Sequence, residues 1–121
     1  MRPPEYAGRK LTIRCMERAN GNCPAGDFLD GLEPRERTKL DVLFQRLGDG
    51  PDLRSRTQFR KLRDTDGIFE VKSGQIRMLC FYAGRDLVLV FGVRKKANRL
   101  PKKDIRRAIS MKREFEYEGD R

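Results

Sequence analysis

The order of the strands is decided by residues 68–91, which read IFEVKSGQIRMLCFYAGRDLVLVF. Apolar and polar residues alternate along 68–72 and 75–82, as expected of strands with one buried side. Ser73-Gly74 between them is a plausible hairpin turn, because glycine tolerates positive φ. The continuous apolar run at 87–91 predicts a further strand at the centre of the sheet.

The predicted hairpin has one apolar face and one charged face. With Ser73 and Gly74 in the turn, Glu70 faces Arg77 across the strands. Because side chains alternate with a period of two, the apolar face holds Phe69, Val71, Ile76, Met78 and Cys80, and the charged face holds Glu70, Lys72 and Arg77. We expect the apolar face to pack on helices. The simplest interpretation of Glu70 and Arg77 is a solvent-exposed ion pair.

Apolar spacing predicts a strand and two helices before this hairpin. Alternation along 11–16 is typical of a half-buried strand, and apolar residues recur at helical spacing over 25–32 and 40–47. Pro34 suits the first turn of the second helix, and Gly48 can supply its left-handed end.

Two further segments complete the predicted order. The polar and basic stretch 50–66 indicates a connection that holds an irregular strand or a loop. Pro101 can begin a C-terminal helix whose apolar stripe is formed by Ile105, Ala108 and Ile109.

Length and composition predict one small domain. The chain has 121 residues, 37% of them hydrophobic, which suffices for one modest core. We expect residues 1–121 to form a single domain with flexible tails at 1–10 and 114–121. Three cysteines without a Cys-x-x-Cys spacing fit a reducing compartment. No apolar run reaches the length of a membrane span and no signal-peptide core is visible, so a cytoplasmic location is expected.

The charge balance indicates a polyanionic partner. Lysine and arginine outnumber aspartate and glutamate by 28 to 18, and residues 92–113 alone hold ten basic residues against one acidic residue. Such a concentration is typical of nucleic-acid binding. The chain contains no histidine, which excludes a Ser/His or Cys/His nucleophile pair and a histidine zinc site. We expect no metal and no cofactor.

Three segments together carry a family resemblance. They read DGIFEVK at 66–72, QIRMLCF at 75–81 and FGVRKKANRLPKKDI at 91–105, followed by Ala108. In this order they resemble the RelE/HigB toxins, and more narrowly the phage-derived Gp49-like branch. The resemblance extends over about residues 11–111.

The resemblance implies both a fold and an activity. The implied fold is α+β, with a small antiparallel β-sheet, two N-terminal helices packed on one face and a C-terminal helix. The implied activity is that of a type II toxin–antitoxin toxin: a metal-independent, ribosome-associated mRNA endonuclease (mRNA interferase) that inhibits translation. Implied partners are the ribosome, mRNA and a cognate HigA-like antitoxin with a helix-turn-helix domain, through which DNA is contacted only indirectly.

RNA carries its own nucleophile, the 2′-OH, so the protein must chiefly orient it and stabilise charge on the phosphate. Arginine suits the second task because its planar fork grips phosphate oxygens. By resemblance the predicted catalytic residues are Arg77, Arg94, Lys72 and Glu70, and the predicted RNA-binding residues are Lys61, Arg63, Lys95, Lys96 and Arg99. We expect Arg77 and Arg94 to converge on one phosphodiester. Glu70 is either the general base or a sign that the chemistry has shifted.

Two departures from the family pattern keep other functions open. Ile76 replaces the usual aromatic residue before the strand arginine, and the histidine common in HigB-like proteins is missing. The alternatives are an inactive toxin homologue, a non-enzymatic RNA- or ribosome-binding module that acts by counterion release, and a structural subunit of a DNA-binding complex.

Overall fold

Helices cover both faces of one mixed β-sheet. The computed structural model describes residues 2–50, 58–95 and 99–119. Its elements, in chain order, are β1 (Tyr6–Ala7), β2 (Thr12–Cys15), α1 (Pro24–Asp30), α2 (Pro34–Asp49), β3 (Phe59–Lys61), β4 (Phe69–Ser73), β5 (Ile76–Ala83), β6 (Asp86–Arg94) and α3 (Lys102–Gly119). The predicted α+β fold class is confirmed. None of the helices in these ranges has the length and apolar composition that a membrane span requires.

The sheet has the strand order β1-β2-β6-β5-β4-β3. The predicted central position of β6 is confirmed. Its long apolar run is explained because β2 and β5 flank it in the sheet and a hydrophobic core covers each of its two faces. The sheet was predicted to be antiparallel, but β2 pairs with β6 in parallel. The prediction also missed β1 and placed no definite strand at β3, because two or three residues are too few to show alternation.

Two hydrophobic cores lie on opposite sides of the sheet. One, which we call the α1/α2 face, joins Leu29 of α1 and Phe44 of α2 to Val71, Met78 and the other members of the predicted apolar face. The other, the α3 face, joins Ala108 and Met111 of α3 to Leu79, Phe81 and Val88. Each strand residue between 76 and 81 is buried, because helices cover both sides.

The hairpin turn differs from its prediction by one position. Ser73 pairs with Ile76, so the turn is Gly74-Gln75, and Glu70 pairs with Leu79 while Lys72 pairs with Arg77. Gly74 adopts a φ of 59°, which glycine tolerates at this sharp reversal. The pairing has moved by two residues, so each side chain stays on its predicted face.

The end of α2 also differs. The helix continues through Gly48 to Asp49, and Gly50 carries the positive φ of 51°. Gly48 serves close packing instead, because a Cβ there would lie 2.7 Å from Cδ2 of Tyr6.

Residues 2–10 and 114–119, which were expected to be flexible tails, make side-chain contacts with the rest of the chain. Glu5 accepts hydrogen bonds from Arg2 and Arg37, and its side chain is only 4% exposed. At the other end, Glu114 of α3 accepts a 2.7 Å hydrogen bond from Arg18. Charged side chains therefore connect Glu5 and Glu114 to the body of the protein.

Candidate functional site

A buried carboxylate lies between two arginines on the α3 face. Glu70 is 1% exposed; its Oε1 accepts a 3.2 Å hydrogen bond from Nε of Arg60, and its Oε2 lies 3.8 Å from Nε of Arg77. We call Arg60, Glu70 and Arg77 the Glu70 cluster. Register explains the arrangement, because Arg60 of β3 pairs with Glu70 of β4, and Arg77 of β5 is the diagonal neighbour on the other side.

The prediction of a solvent-exposed Glu70–Arg77 ion pair is wrong. Arg77 is 2% exposed, and its Nη1 donates a 2.7 Å hydrogen bond to the carbonyl of Gly74 in its own hairpin turn. The guanidinium therefore lies along the strand instead of projecting outward. Buried charges persist in proteins when they are paired and hydrogen-bonded. Glu70 supplies the opposite charge for Arg77, and the Gly74 carbonyl accepts its hydrogen bond.

The exposed charge of this surface comes from other side chains. Arg60 keeps 45% of its side chain exposed. Lys72 is half-buried and lies on the same face of β4 as Glu70, two residues along the strand. Lys95 follows β6, and its Nζ lies 3.7 Å from Oδ2 of Asp104 in α3 with the lysine 31% exposed. Arg60, Lys72 and Lys95 can therefore bind an anion that approaches the α3 face.

Arg94 lies on the opposite side of the sheet. It pairs with Ile76, whereas Arg77 pairs with Val93. Its guanidinium donates two hydrogen bonds, of 2.5 and 2.7 Å, to the carboxylate of Glu36 in α2. The hydrogen bond from Arg94 is the main reason that the pKa of Glu36 falls to about 2.

The expected convergence of Arg77 and Arg94 is therefore wrong. A β-bulge is the physical reason: between Leu79 and Cys80 the register with β6 shifts by one residue. Without this shift Arg77 would pair with Gly92 and would share a face with Arg94.

The other predicted RNA-binding residues have mixed positions. Lys61 pairs with Phe69 and so belongs to the α1/α2 face, away from Glu70. Arg63 is exposed in the turn after β3, and Arg99 is exposed before α3. Lys96 lies outside the described residues.

Helix α3 adds a basic outer surface beside the Glu70 cluster. Arg107 stacks over the ring of Phe91, with 4.4 Å between Cζ and the ring centroid. Four further cations of α3 are exposed and form no ion pair with any described residue: Lys102, Lys103, Arg106 and Arg113. This surface has the charge that phosphate groups require.

Sequence reasoning missed Arg60 and Asp104 as members of the site. Arg60 belongs to a three-residue strand inside a segment that reads as a connection, and Phe59-Arg60-Lys61 is too short to show alternation. Asp104 is the single acid among the basic residues at 92–113, and its Oδ2 is buried without a hydrogen bond among the described residues.

Neither metal ligation nor thiol chemistry finds support in the described parts of the chain. No three cysteine, aspartate or glutamate side chains in these parts are grouped as metal ligands would be. Burial raises the pKa of the Cys15 and Cys80 thiols well above the usual range. Both thiols therefore stay protonated at neutral pH and are poor nucleophiles.

The chain was then compared with known proteins. Residues 27–113 match the family described as phage derived protein Gp49-like (DUF891). Comparison with curated protein sequences gives no match. The matched region runs from α1 to α3 and includes every strand of the sheet except β1 and β2. The chain therefore belongs to the Gp49-like family, and membership of this family indicates a toxin of a toxin–antitoxin system in the RelE-like superfamily.

Proposed function

We propose that this toxin is a metal-independent mRNA endonuclease that acts at the ribosome and inhibits translation. The proposal depends on one structural observation: Arg60, Lys72 and Lys95 lie on the α3 face around a buried Glu70–Arg77 pair. The family supports the class of protein and implies an antitoxin partner. The charge of the α3 face supports RNA as the substrate.

The reaction that we propose needs no histidine. The 2′-OH of RNA attacks the adjacent phosphorus and the bond from phosphorus to the 5′-oxygen breaks. The proton of the 2′-OH passes to solvent water, and solvent returns a proton to the leaving 5′-oxygen, so that a 2′,3′-cyclic phosphate and a 5′-hydroxyl are formed. Negative charge builds on the phosphoryl oxygens, and fixed cations stabilise that charge more in the transition state than in the ground state. We assign this stabilisation to Arg60, which is exposed, and to Lys72 beside it.

Glu70 and Arg77 then act as positioning residues. A carboxylate that is 1% exposed does not meet the substrate, and Arg77 is buried to the same degree. Glu70 holds Arg60 by its Nε, while 45% of the Arg60 side chain stays exposed on the α3 face. The sequence left two interpretations of Glu70: the general base, or a sign that the chemistry has shifted to other residues. Its burial favours the second.

The cations beyond this centre provide RNA binding. Lys95, Arg99 and the outer side of α3 extend the positive surface from the end of the sheet. Binding through phosphates should depend steeply on salt. We propose that this surface carries mRNA and ribosomal RNA, while the antitoxin connects the toxin to DNA.

Mapping of mRNA ends by primer extension, after induction in cells, tests the proposal. Discrete cuts within translated regions are expected from the natural protein. Arg60→Ala should reduce cutting by about a hundredfold, a typical loss for one transition-state donor, while binding to ribosomes is retained. Arg60→Lys should recover part of the activity. Arg35→Ala, on the opposite side, is the matched control and should leave cutting unchanged.

The burial of Arg77 favours one second candidate function. Because the buried Arg77 does not reach a phosphate, the remaining exposed cations would bind RNA and block the ribosome without cleaving the RNA. In that case, growth would be inhibited while transcripts remain uniformly intact, and Arg60→Ala would weaken binding without any cuts to lose. Intact transcripts during growth arrest would therefore replace the nuclease proposal with this one.

A further inference from the structure

A groove separates α2 from the β4–β5 hairpin turn, on the α1/α2 side of the sheet. Its larger part, of about 520 Å³, is lined by Lys39, Val42, Leu43 and Arg46 of α2, by Ser73 and Gly74 of the hairpin, and by Gln58 and Lys72. A second part of about 250 Å³ shares Lys39, Ser73 and Gly74, and continues to the Arg94–Glu36 ion pair. We call the combined cavity the α2 groove.

The helix presents one continuous stripe along this groove. Arg35, Lys39, Val42 and Arg46 follow one another at helical spacing and are all exposed. The three cations of the stripe form no ion pair with any described residue. Two acidic residues of α2 form ion pairs with other arginines: Glu36 with Arg94 and Asp41 with Arg37. The α2 groove therefore offers unneutralised positive charge.

Val42 interrupts this charge with apolar surface. It is 41% exposed, in the middle of the stripe, and the buried Leu43 lies beside it. Among residues 2–50, 58–95 and 99–119 nothing explains this exposure, since the core-facing side of α2 is formed by Leu40, Leu43, Phe44 and Leu47. An exposed valine between two lysine or arginine side chains fits a partner that has acidic groups with an aliphatic side chain between them.

We propose that the α2 groove binds an acidic, extended segment of a partner protein. The stripe from Arg35 to Arg46 spans about 16 Å along the helix axis, which corresponds to about five extended residues. Lys39 and Arg46 are separated by about 10 Å along the axis, and carboxylates four residues apart on one side of an extended segment, about 13 Å from each other, can meet both of these long side chains. An aliphatic side chain between these carboxylates then contacts Val42.

The apolar element favours a protein over RNA as the occupant. A phosphate backbone requires cations only, whereas protein interfaces combine apolar contacts with charged groups at the rim. The α2 groove also lies on the opposite side of the sheet from the Glu70 cluster, since Ser73 and Glu70 have opposite parity on β4. Lys72 lines the α2 groove and also belongs to the proposed nuclease centre, but Arg60, Glu70 and Arg77 do not line the groove. The inference does not depend on the proposed nuclease activity.

Fluorescence anisotropy at physiological salt, with two defined probes, tests this inference. The first probe is a labelled dodecapeptide of glutamate with leucine at every third position. The second is a single-stranded RNA dodecamer. Lys39→Glu/Arg46→Glu should weaken peptide binding by at least about tenfold, because like charges then face each other across the groove. The same variant should change RNA binding by less than about threefold.

Lys102→Glu/Arg106→Glu, which makes the same change of net charge on α3, is the matched control. It should weaken RNA binding and leave peptide binding within about threefold. Val42→Ser should weaken binding of the leucine peptide by about threefold or more, and should not affect a peptide with serine in place of leucine. All of these positions are exposed, so the variants should fold; circular dichroism checks this.

Three outcomes would overturn the inference. Equal loss of peptide binding in the two charge variants would show an effect of net charge alone. Loss of RNA binding in the groove variant, with RNA binding retained in the α3 variant, would assign the α2 groove to nucleic acid. Indifference of the leucine peptide to Val42→Ser would remove the argument for a protein segment. None of these results depends on RNA cleavage, so the proposed nuclease function is tested separately.

Discussion

Arg77 and Arg94 lie on neighbouring strands and point to opposite faces of the sheet. Arg77 pairs with Val93 and is held by Glu70 and the Gly74 carbonyl, whereas Arg94 pairs with Ile76 and binds Glu36. The two guanidinium groups therefore cannot grip one phosphate. The centre that remains on the α3 face is formed by Arg60 and Lys72 above a buried ion pair.

Arg94→Ala should leave RNA cutting within about threefold of the natural protein, because Arg94 is not part of the α3 face. The variant should instead raise the pKa of Glu36 from about 2 toward its ordinary value of 4.5. The stabilisation from this ion pair is present above pH 4.5 and is lost as the pH falls toward 2. An NMR titration of the Glu36 carboxyl checks the shift; an unchanged pKa, or loss of cutting, would contradict the assignment.

Glu70→Leu should reduce the free energy of unfolding by about 3–5 kcal/mol, because it leaves the Arg77 charge buried without its partner. The double variant Glu70→Leu/Arg77→Met should lose less than the single variant, since it removes both charges. Urea unfolding followed by circular dichroism measures both. If the double variant is less stable than Glu70→Leu alone, the buried Arg77 charge is not what destabilises the single variant.

Glu5→Gln should destabilise the protein by about 2 kcal/mol or more at pH 7. Burial raises the pKa of Glu5, but hydrogen bonds from Arg2 and Arg37 together outweigh burial and lower the pKa below its ordinary value. The stabilisation is therefore present at neutral pH and is lost as the pH falls below the ordinary glutamate range.

Thermal unfolding of Glu5→Gln should consequently differ from that of the natural protein at pH 7 and approach it at pH 3. Asp41→Asn is the control, because Asp41 pairs with the same Arg37 while 44% exposed. Its effect should stay below about 1 kcal/mol. Equal effects of the two substitutions would mean that the buried position of Glu5 contributes nothing.

Gly92→Ala should destabilise the sheet by about 1–3 kcal/mol through overpacking. A Cβ at Gly92 would lie 2.3 Å from Cδ1 of Phe28 and 2.6 Å from Sδ of Met78. The ring of Phe28, in α1, would therefore have to move. Gly31→Ala is the matched control: its φ is −89° and its nearest contacts would be 3.6 and 3.7 Å. Chemical denaturation should separate the two; similar stabilities would contradict the close packing of Phe28 on the strand.

Much of the fold could be predicted from local patterns. Alternation placed Glu70, Lys72 and Arg77 on one face, and this placement survived a two-residue shift of the cross-strand pairing because the side-chain period is itself two. Helical spacing and Pro34 located α2. The apolar run at 87–91 indicated the central strand, since only a strand with core on both sides tolerates it.

That same run concealed what only the tertiary structure decided. An unbroken apolar strand shows no alternation, so the sequence carried no signal for the bulge opposite Leu79 or for the face of Arg94. The burial of Glu70 and Arg77, the contact from Arg60 of β3 and the groove beside α2 likewise depend on segments distant in the chain. Local periodicity determined which side chains share a strand face; long-range register and packing decided which of those faces carry exposed charge.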